Sequence, residues 1–483
     1  VNRELKRVSI VVMLMFVTLL GSTSVVQAFQ ADNLSADPRN TRTLYDSYQV
    51  ERGAILVKGE PIAQSMPADD DFKFLRTYTN PELYAPITGY IPINGQPTGL
   101  EFALNSELTG TSNSQFFDKI SALVTGQDPK GAAVEVTIDP IAQQAAWDAL
   151  GDYTGSVVVT EPATGRILAM VSKPGFNPNL LTVHNNAEVT ASYDALVADP
   201  NDPLINRAIN SLNPPGSIFK LVVTTAALES GNYTPESTFL NPSVYMAPGT
   251  TSVIENSSGG TCGAGETVTL ATALRLSCNI PFAELGVQLG DTTIRETAEK
   301  FGFNSTHSIP MTVSKSTYPR GLDDPQTAQS AFGQFDVTAT PLQMAMVSGA
   351  IANGGVVMAP NLVQEILAPN LSAIQTFEAT ELGRVMSEET AATITAMMVN
   401  GVQDGAASNA RIDGVDVAGK TGTAQNGSTD PFTLWFTGFA PANDPQYAIT
   451  VLVENGGGEG QTGFGNKLAA PVAKKVLEAV LNK

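Results

Sequence analysis

The first pattern in the chain is an uncharged, apolar run from Val8 to about Phe29, preceded by Arg3, Lys6 and Arg7. As a helix rising 1.5 Å per residue it spans roughly 30 Å, the thickness of a bilayer's hydrocarbon core. Positive charge before the run and none immediately after it orient the N-terminus toward the cytoplasm and everything after residue 30 outside. Val26 and Ala28 also fit a small-residue cleavage site, but the apolar stretch exceeds the usual signal core, so a retained single-pass anchor is expected over residues 1–30. Both readings export the chain.

Residues 31–152 are punctuated by Pro, Asn and Gly and hold short β-like runs, Arg52 to Val57 and Val134 to Ile138. Ile141 to Leu150, rich in Ala and Gln, predicts a helix leading out of this first unit. The pattern sharpens over residues 153–483. Ser156 to Thr160 and Arg166 to Val171 are apolar runs joined by Pro162, Ala163, Thr164 and Gly165, a hairpin signal. Pro214, Pro215 and Gly216 break the chain before a run from Ser217 to Glu229 that suits a buried helix. Val415 to Ala418, Leu434 to Phe439 and Ala448 to Val453 read as strands, and Leu468 to Leu481 as a closing helix. A hairpin, a helical middle, further strands and a last helix predict an α+β domain in which an antiparallel sheet is flanked by helices.

A chain of 483 residues with 42% hydrophobic side chains is long enough for two cores. Its 27 Lys and Arg stand against 47 Asp and Glu, and no basic stretch beyond the N-terminus could follow a phosphate backbone, which excludes nucleic acid as a partner. Only two cysteines, Cys262 and Cys278, and two histidines, His184 and His307, occur. Zinc-module spacing and H-E-x-x-H are absent, so no metal site is expected. No convincing G-x-S-x-G elbow is present either, so a serine enzyme here would use a base other than histidine.

Ser217-Ile218-Phe219-Lys220 offers one. A hydroxyl and an amine three residues apart at a helix start share a face, and Lys220 can take the Ser217 proton if it is neutral. Burial, the positive helix end or a second cation must lower its pKa, and Lys420 is a candidate for that cation. Exported, the enzyme has no ATP or NADH at hand, and no cofactor is implied.

Downstream, in order, come Ser277-Cys278-Asn279 and Lys420-Thr421-Gly422-Thr423. With Ser217 and Lys220 they resemble the three signature motifs of the penicillin-binding proteins and serine β-lactamases. The resemblance implies that Ser277 shuttles a proton between Lys220 and the leaving or entering amine, and that Asn279 holds the substrate peptide. It implies that Lys420, Thr421 and Thr423 receive the substrate's terminal carboxylate. Gly422 would clear space for the acyl group, and the backbone N–H groups of Ser217 and Thr423 would form the oxyanion hole. Asn206-Arg207-Ala208, Thr340-Pro341-Leu342-Gln343, Asn353-Gly354-Gly355 and Trp435 to Pro441 are also similar to transpeptidase segments, although core and turn roles account for most of them. In the first unit Arg39, Arg42, Arg52-Gly53 and Gly99-Leu100-Glu101 resemble the pedestal of monofunctional class B members, and the chain's length points to the penicillin-binding protein A type of actinobacteria. Cys278 departs from the usual Asp, and Phe335 stands where many relatives have glycine.

The implied activity is a peptidoglycan D,D-transpeptidase acting on stem peptides and acylated by β-lactam antibiotics. Its implied surroundings are the cytoplasmic membrane and other membrane wall-synthesis proteins. Three rivals share or replace that reading. A β-lactamase needs a base for hydrolysis, in one class a glutamate after the second motif, and residues 305–330 contain none. A D,D-carboxypeptidase gives the same acyl-enzyme to water, and the pedestal argues for transfer to an amine. A non-enzymatic β-lactam sensor would need a long cytoplasmic region where about seven residues stand, while a scaffold role for the first unit is compatible with catalysis. A second, glycosyltransferase domain does not fit before residue 150. Finally, two cysteines in an oxidising compartment are expected to pair, with Gly259, Gly260 and Gly263 letting Cys262 reach Cys278; two free, partly buried thiols are the alternative. Closing that loop would stabilise by roughly 3 kcal/mol.

Overall fold

The structure, a computed structural model, describes residues 2–30, 48–112, 130–257 and 259–482. Arg39 and Arg42 lie outside the described residues. The helix Asn2–Phe29 is long and apolar enough to cross a membrane and buries none of that surface against the rest of the chain.

A five-stranded sheet forms the centre of the C-terminal part, in the order Ala418–Ala424, Thr433–Ala440, Tyr447–Val453, Gly155–Thr160, Ile167–Lys173. Every neighbouring pair is antiparallel. Helices cover both faces. Pro140–Leu150 and Gly465–Val480 pack on one, and Pro341–Ala352 lies on the other. Burial on both faces is why these strands read as continuous apolar runs and not as alternating ones. Pro341–Ala352 is correspondingly apolar on all sides, and the Thr340 hydroxyl caps it by accepting the Gln343 N–H at 3.2 Å. The T-P-L-Q segment is therefore structural.

The first unit is built on a second sheet, ordered Ala373–Thr376, Val363–Leu367, Ala133–Val136, Ile55–Val57, Glu60–Pro67, Phe74–Tyr78. Two of its six strands come from the far half of the chain: Val363–Leu367 pairs antiparallel with Ala133–Val136 and brings Ala373–Thr376 with it. One apolar cluster accordingly runs from Ile55 and Val134 through Met170 and Leu342 to Ile366. Arg52 and Glu101 do converge. The Glu101 carboxylate is fully buried and accepts from Arg52 Nε at 2.5 Å and Arg76 Nε at 2.7 Å. Burial raises its pKa, but the two guanidiniums, Arg76 foremost, more than reverse this and hold it below the ordinary carboxylate value.

Candidate active site

The chain break at Pro214-Pro215-Gly216 leads into a 3₁₀ turn, Gly216–Phe219, which passes into the α-helix Lys220–Glu229. The sequence pattern predicts helix from Ser217 onward; the tighter first turn is the difference, and it has a consequence. With three residues per turn, positions i and i+3 eclipse, so Ser217 and Lys220 stand directly over one another. Trp435, fully buried, donates its indole N–H to the Pro214 carbonyl at 2.9 Å and holds the turn on the sheet. The strand carrying the third motif runs Ala418–Ala424 and not Val415 to Ala418. Its Lys-Thr-Gly-Thr composition hides it from hydropathy, and pairing with Thr433–Ala440 forms it.

Lys220 Nζ lies 2.9 Å from Ser217 Oγ, 2.8 Å from the Ser277 carbonyl oxygen and 2.8 Å from Asn279 Oδ1. The last two atoms only accept. A neutral amine gives them its two N–H bonds, and its lone pair is left facing the Ser217 hydroxyl. Burial pushes the Lys220 ammonium well below its ordinary pKa and the charge on Lys420 pushes it further down. Lys420 Nζ donates to Ser277 Oγ at 2.6 Å and to the Thr421 carbonyl at 2.8 Å, and burial lowers it to about 7. A carboxylate placed beside it would raise that value. The arrangement is a buried serine with one lysine amine 2.9 Å from its hydroxyl and a second lysine one hydroxyl away.

Ser277 closes the helix Leu270–Leu276 in the left-handed conformation, φ 61°, which swings Ser277 and Asn279 toward Lys220. The Sγ atoms of Cys262 and Cys278 are bonded, their Cα atoms 5.7 Å apart. Gly259, Gly260 and Gly263 all have positive φ, the conformations that let the loop double back to this bond. Asn241 fastens the same loop, accepting the Cys262 N–H at 2.6 Å and donating to the Gly265 carbonyl at 3.0 Å. Reduction, or Cys262→Ser, should slow acylation of Ser217 while leaving the bulk fold nearly intact. Thiol titration of the denatured, unreduced protein checks the premise: two reactive thiols per chain would remove it.

The third motif departs from expectation in detail. A Cβ on Gly422 would come within 2.9 Å of the Pro215 carbonyl and 3.2 Å of Trp435 Cβ. The missing side chain thus seats the nucleophile turn against the strand. Thr421 Oγ1 donates to the Ala406 carbonyl at 2.8 Å, whereas Thr423 Oγ1 accepts the Gly465 N–H at 3.1 Å and keeps its own proton for another acceptor. Ala418–Ala424 is an edge strand, with one row of backbone groups outside the sheet's ladder. Phe335 takes φ 47°, a left-handed conformation costing a non-glycine residue about 1–2 kcal/mol.

Sequence reading missed two supporting side chains. Glu454 accepts from Arg207 Nε at 2.8 Å and Ser211 Oγ at 2.6 Å, bracing the segment before the nucleophile. Asn256 holds the turn at Asn279. Neither lies in a recognisable pattern; both act across more than 20 residues of sequence.

Known proteins share this fold and this sequence over nearly the whole chain. The family model for the penicillin binding protein transpeptidase domain matches residues 155–478, and that for the penicillin binding protein A dimerisation domain matches residues 52–134. Peptidoglycan D,D-transpeptidase PbpA of Mycolicibacterium smegmatis is 42% identical, over 100% of this chain and 99% of its own length. The protein of the same name from Mycobacterium tuberculosis is 40% identical over 99% of each chain. The structure of penicillin-binding protein A from M. tuberculosis as a ceftriaxone acyl-enzyme complex superposes with a TM-score of 0.88, at 38% identity, over 90% of this chain and 100% of that one. This chain belongs to the penicillin-binding protein transpeptidase family, with the dimerisation domain of its A type.

Proposed function

We propose that this chain is a penicillin-sensitive peptidoglycan D,D-transpeptidase that cross-links stem peptides through an acyl-enzyme on Ser217. One observation carries the reading: Lys220 Nζ lies 2.9 Å from Ser217 Oγ with its two N–H bonds already committed. In acylation the Lys220 lone pair takes the Ser217 proton as Oγ attacks the carbonyl of the penultimate D-alanine. The backbone N–H groups of Ser217 and Thr423 bind the developing oxyanion. The proton passes through the Ser277 hydroxyl to the departing D-alanine nitrogen, and the amide bond breaks. A stem-peptide amine then attacks the ester, its proton returns through Ser277 and Lys220 to Ser217 Oγ, and a new amide is released. Lys420 and the Thr423 hydroxyl hold the terminal carboxylate, with Thr421 joining once it turns from Ala406. A β-lactam takes the donor's place and stays attached.

The same reading divides the chain into an anchor (residues 1–30), a pedestal (31–152) and a transpeptidase domain (153–483), the last two outside the cytoplasmic membrane beside other wall-synthesis proteins. The apolar helix Asn2–Phe29 supports the anchor. Intact-mass measurement after exposure to labelled penicillin tests the activity: one penicilloyl adduct per chain is expected, and a protein that takes none is not this enzyme. The hydrogen bonds that join Ser217, Lys220, Ser277, Asn279 and Lys420 include no carboxylate among the described residues. With nothing there to activate water, the adduct should persist for many minutes, and rapid nitrocefin turnover would instead indicate a β-lactamase.

A further inference from the structure

Asn279 occupies the N-cap of the helix Ile280–Leu289, where an asparagine side chain ordinarily accepts an N–H of the first turn. Here it makes no such bond. Its Oδ1 takes an N–H of Lys220 at 2.8 Å and its Nδ2 donates to the Glu255 carbonyl at 2.9 Å, so its oxygen is spent on the catalytic cluster and its amide on the segment that carries Asn256. The backbone at the helix start is held by that segment. Asn256, 4% exposed, places Oδ1 between the N–H groups of Asn279 and Ile280, at 2.9 and 3.1 Å, and donates through Nδ2 to the Gly260 carbonyl at 2.9 Å. The segment carrying Asn256 is fastened at its far end by the Cys262–Cys278 bond. Asn256 and the disulfide thus grip residues 278–280 from two sides.

We propose that Asn256 is a positioning residue for acyl transfer: it holds the backbone N–H groups of Asn279 and Ile280 and so fixes the turn from which the Asn279 side chain orients Lys220. The inference rests on the function proposed above. Without the Asn256 acceptor the N–H groups of Asn279 and Ile280 are left unpaired at a buried turn, which is costly, so the turn shifts to find other acceptors. That shift carries Asn279 with it and withdraws one of the two acceptors that direct the Lys220 lone pair. Losing a partner of the charged amine also lowers the pKa of Lys220 further.

The test is the second-order rate of acylation by labelled penicillin G, followed across a pH series on the full chain in detergent, with thermal melting and thiol titration of each variant. Asn256→Ala should lose roughly 10- to 100-fold in rate, the range a displaced catalytic group costs. Its acid limb should move to lower pH, which a merely loosened fold would not do. Asn256→Asp keeps an acceptor for both N–H groups and should recover most of the rate; Asn256→Ser should fall between. Should the alanine variant not fold, the serine and aspartate variants carry the comparison. Rates and acid limbs equal to wild type in the alanine or serine variant, or an aspartate variant as slow as alanine, would overturn the proposal and leave the enzymatic reading standing. A wild-type chain that takes no label removes both.

Discussion

Ser217→Ala is expected to abolish covalent labelling by penicillin completely while the protein stays folded. In the proposed reaction the adduct is an ester on Ser217 Oγ, and the lysine amine beside it, fixed by the Ser277 carbonyl and Asn279, lies 2.9 Å from that oxygen. The mutation leaves the 3₁₀ turn's backbone bonds in place and deletes a single hydrogen bond, worth about 0.5–1.5 kcal/mol, so the melting temperature should shift by a few degrees at most. The check is intact-mass spectrometry of the folded variant alongside wild type. Label retained on the alanine protein would mean that another residue is the nucleophile, and every role assigned around Ser217 would go with it.

The second large effect separates the two lysines. Lys220→Arg should lose acylation by about 10²- to 10⁴-fold, the usual contribution of a general base, because a guanidinium stays protonated and has no lone pair to offer. Lys420→Arg should lose about tenfold, since charge survives and only its fit to Ser277 Oγ and the carboxylate suffers. The pH dependence follows with a definite sign. Acylation needs Lys220 neutral and Lys420 charged. Burial lowers Lys220 well below the usual lysine range, so its limb rises on the acid side. Burial also places Lys420 at about 7, so the rate at low penicillin concentration should fall as pH rises through that value. A bound carboxylate favours the charged lysine and should carry the falling limb to higher pH at saturation. Rapid-mixing acylation measured at both concentrations decides this; equal losses in the two arginine variants, or a rate still climbing well above neutrality at low penicillin, would count against separate roles.

The supporting shell explains why such a site tolerates departures from the pattern of its relatives. Cys278 stands where an acid is usual, yet its side chain points into a bond with Cys262 and leaves the flanking Ser277 and Asn279 to the chemistry. Phe335 accepts a backbone conformation that suits glycine, two residues after Gly333, whose carbonyl accepts the Gly216 N–H at 2.9 Å beside the nucleophile.

How much of this was open to a reader of the sequence divides along the range of the interactions. An uncharged apolar run marks the helix Asn2–Phe29 without reference to anything else, and buried strands such as Thr433–Ala440 show their apolar content over eight contiguous residues. Ser217 and Lys220 meet because the turn is local, and the order of three short motifs on an exported chain nearly without histidine singled out their chemistry. Tertiary structure alone decided the rest. Val363–Leu367 enters the sheet of the first unit by pairing with Ala133–Val136, and nothing in its five residues announces a partner more than 200 positions away. Gly422 proved to serve the seating of Pro215, Thr421 was turned to Ala406, and Asn256 accepted the backbone N–H groups of Asn279 and Ile280. Hydropathy and spacing report what a residue can do within a turn or a strand. Which of its hydrogen bonds are already spent depends on atoms brought in by the fold, and that division of valence is what the proposed roles of Lys220 as base and Asn279 as its guide rest on.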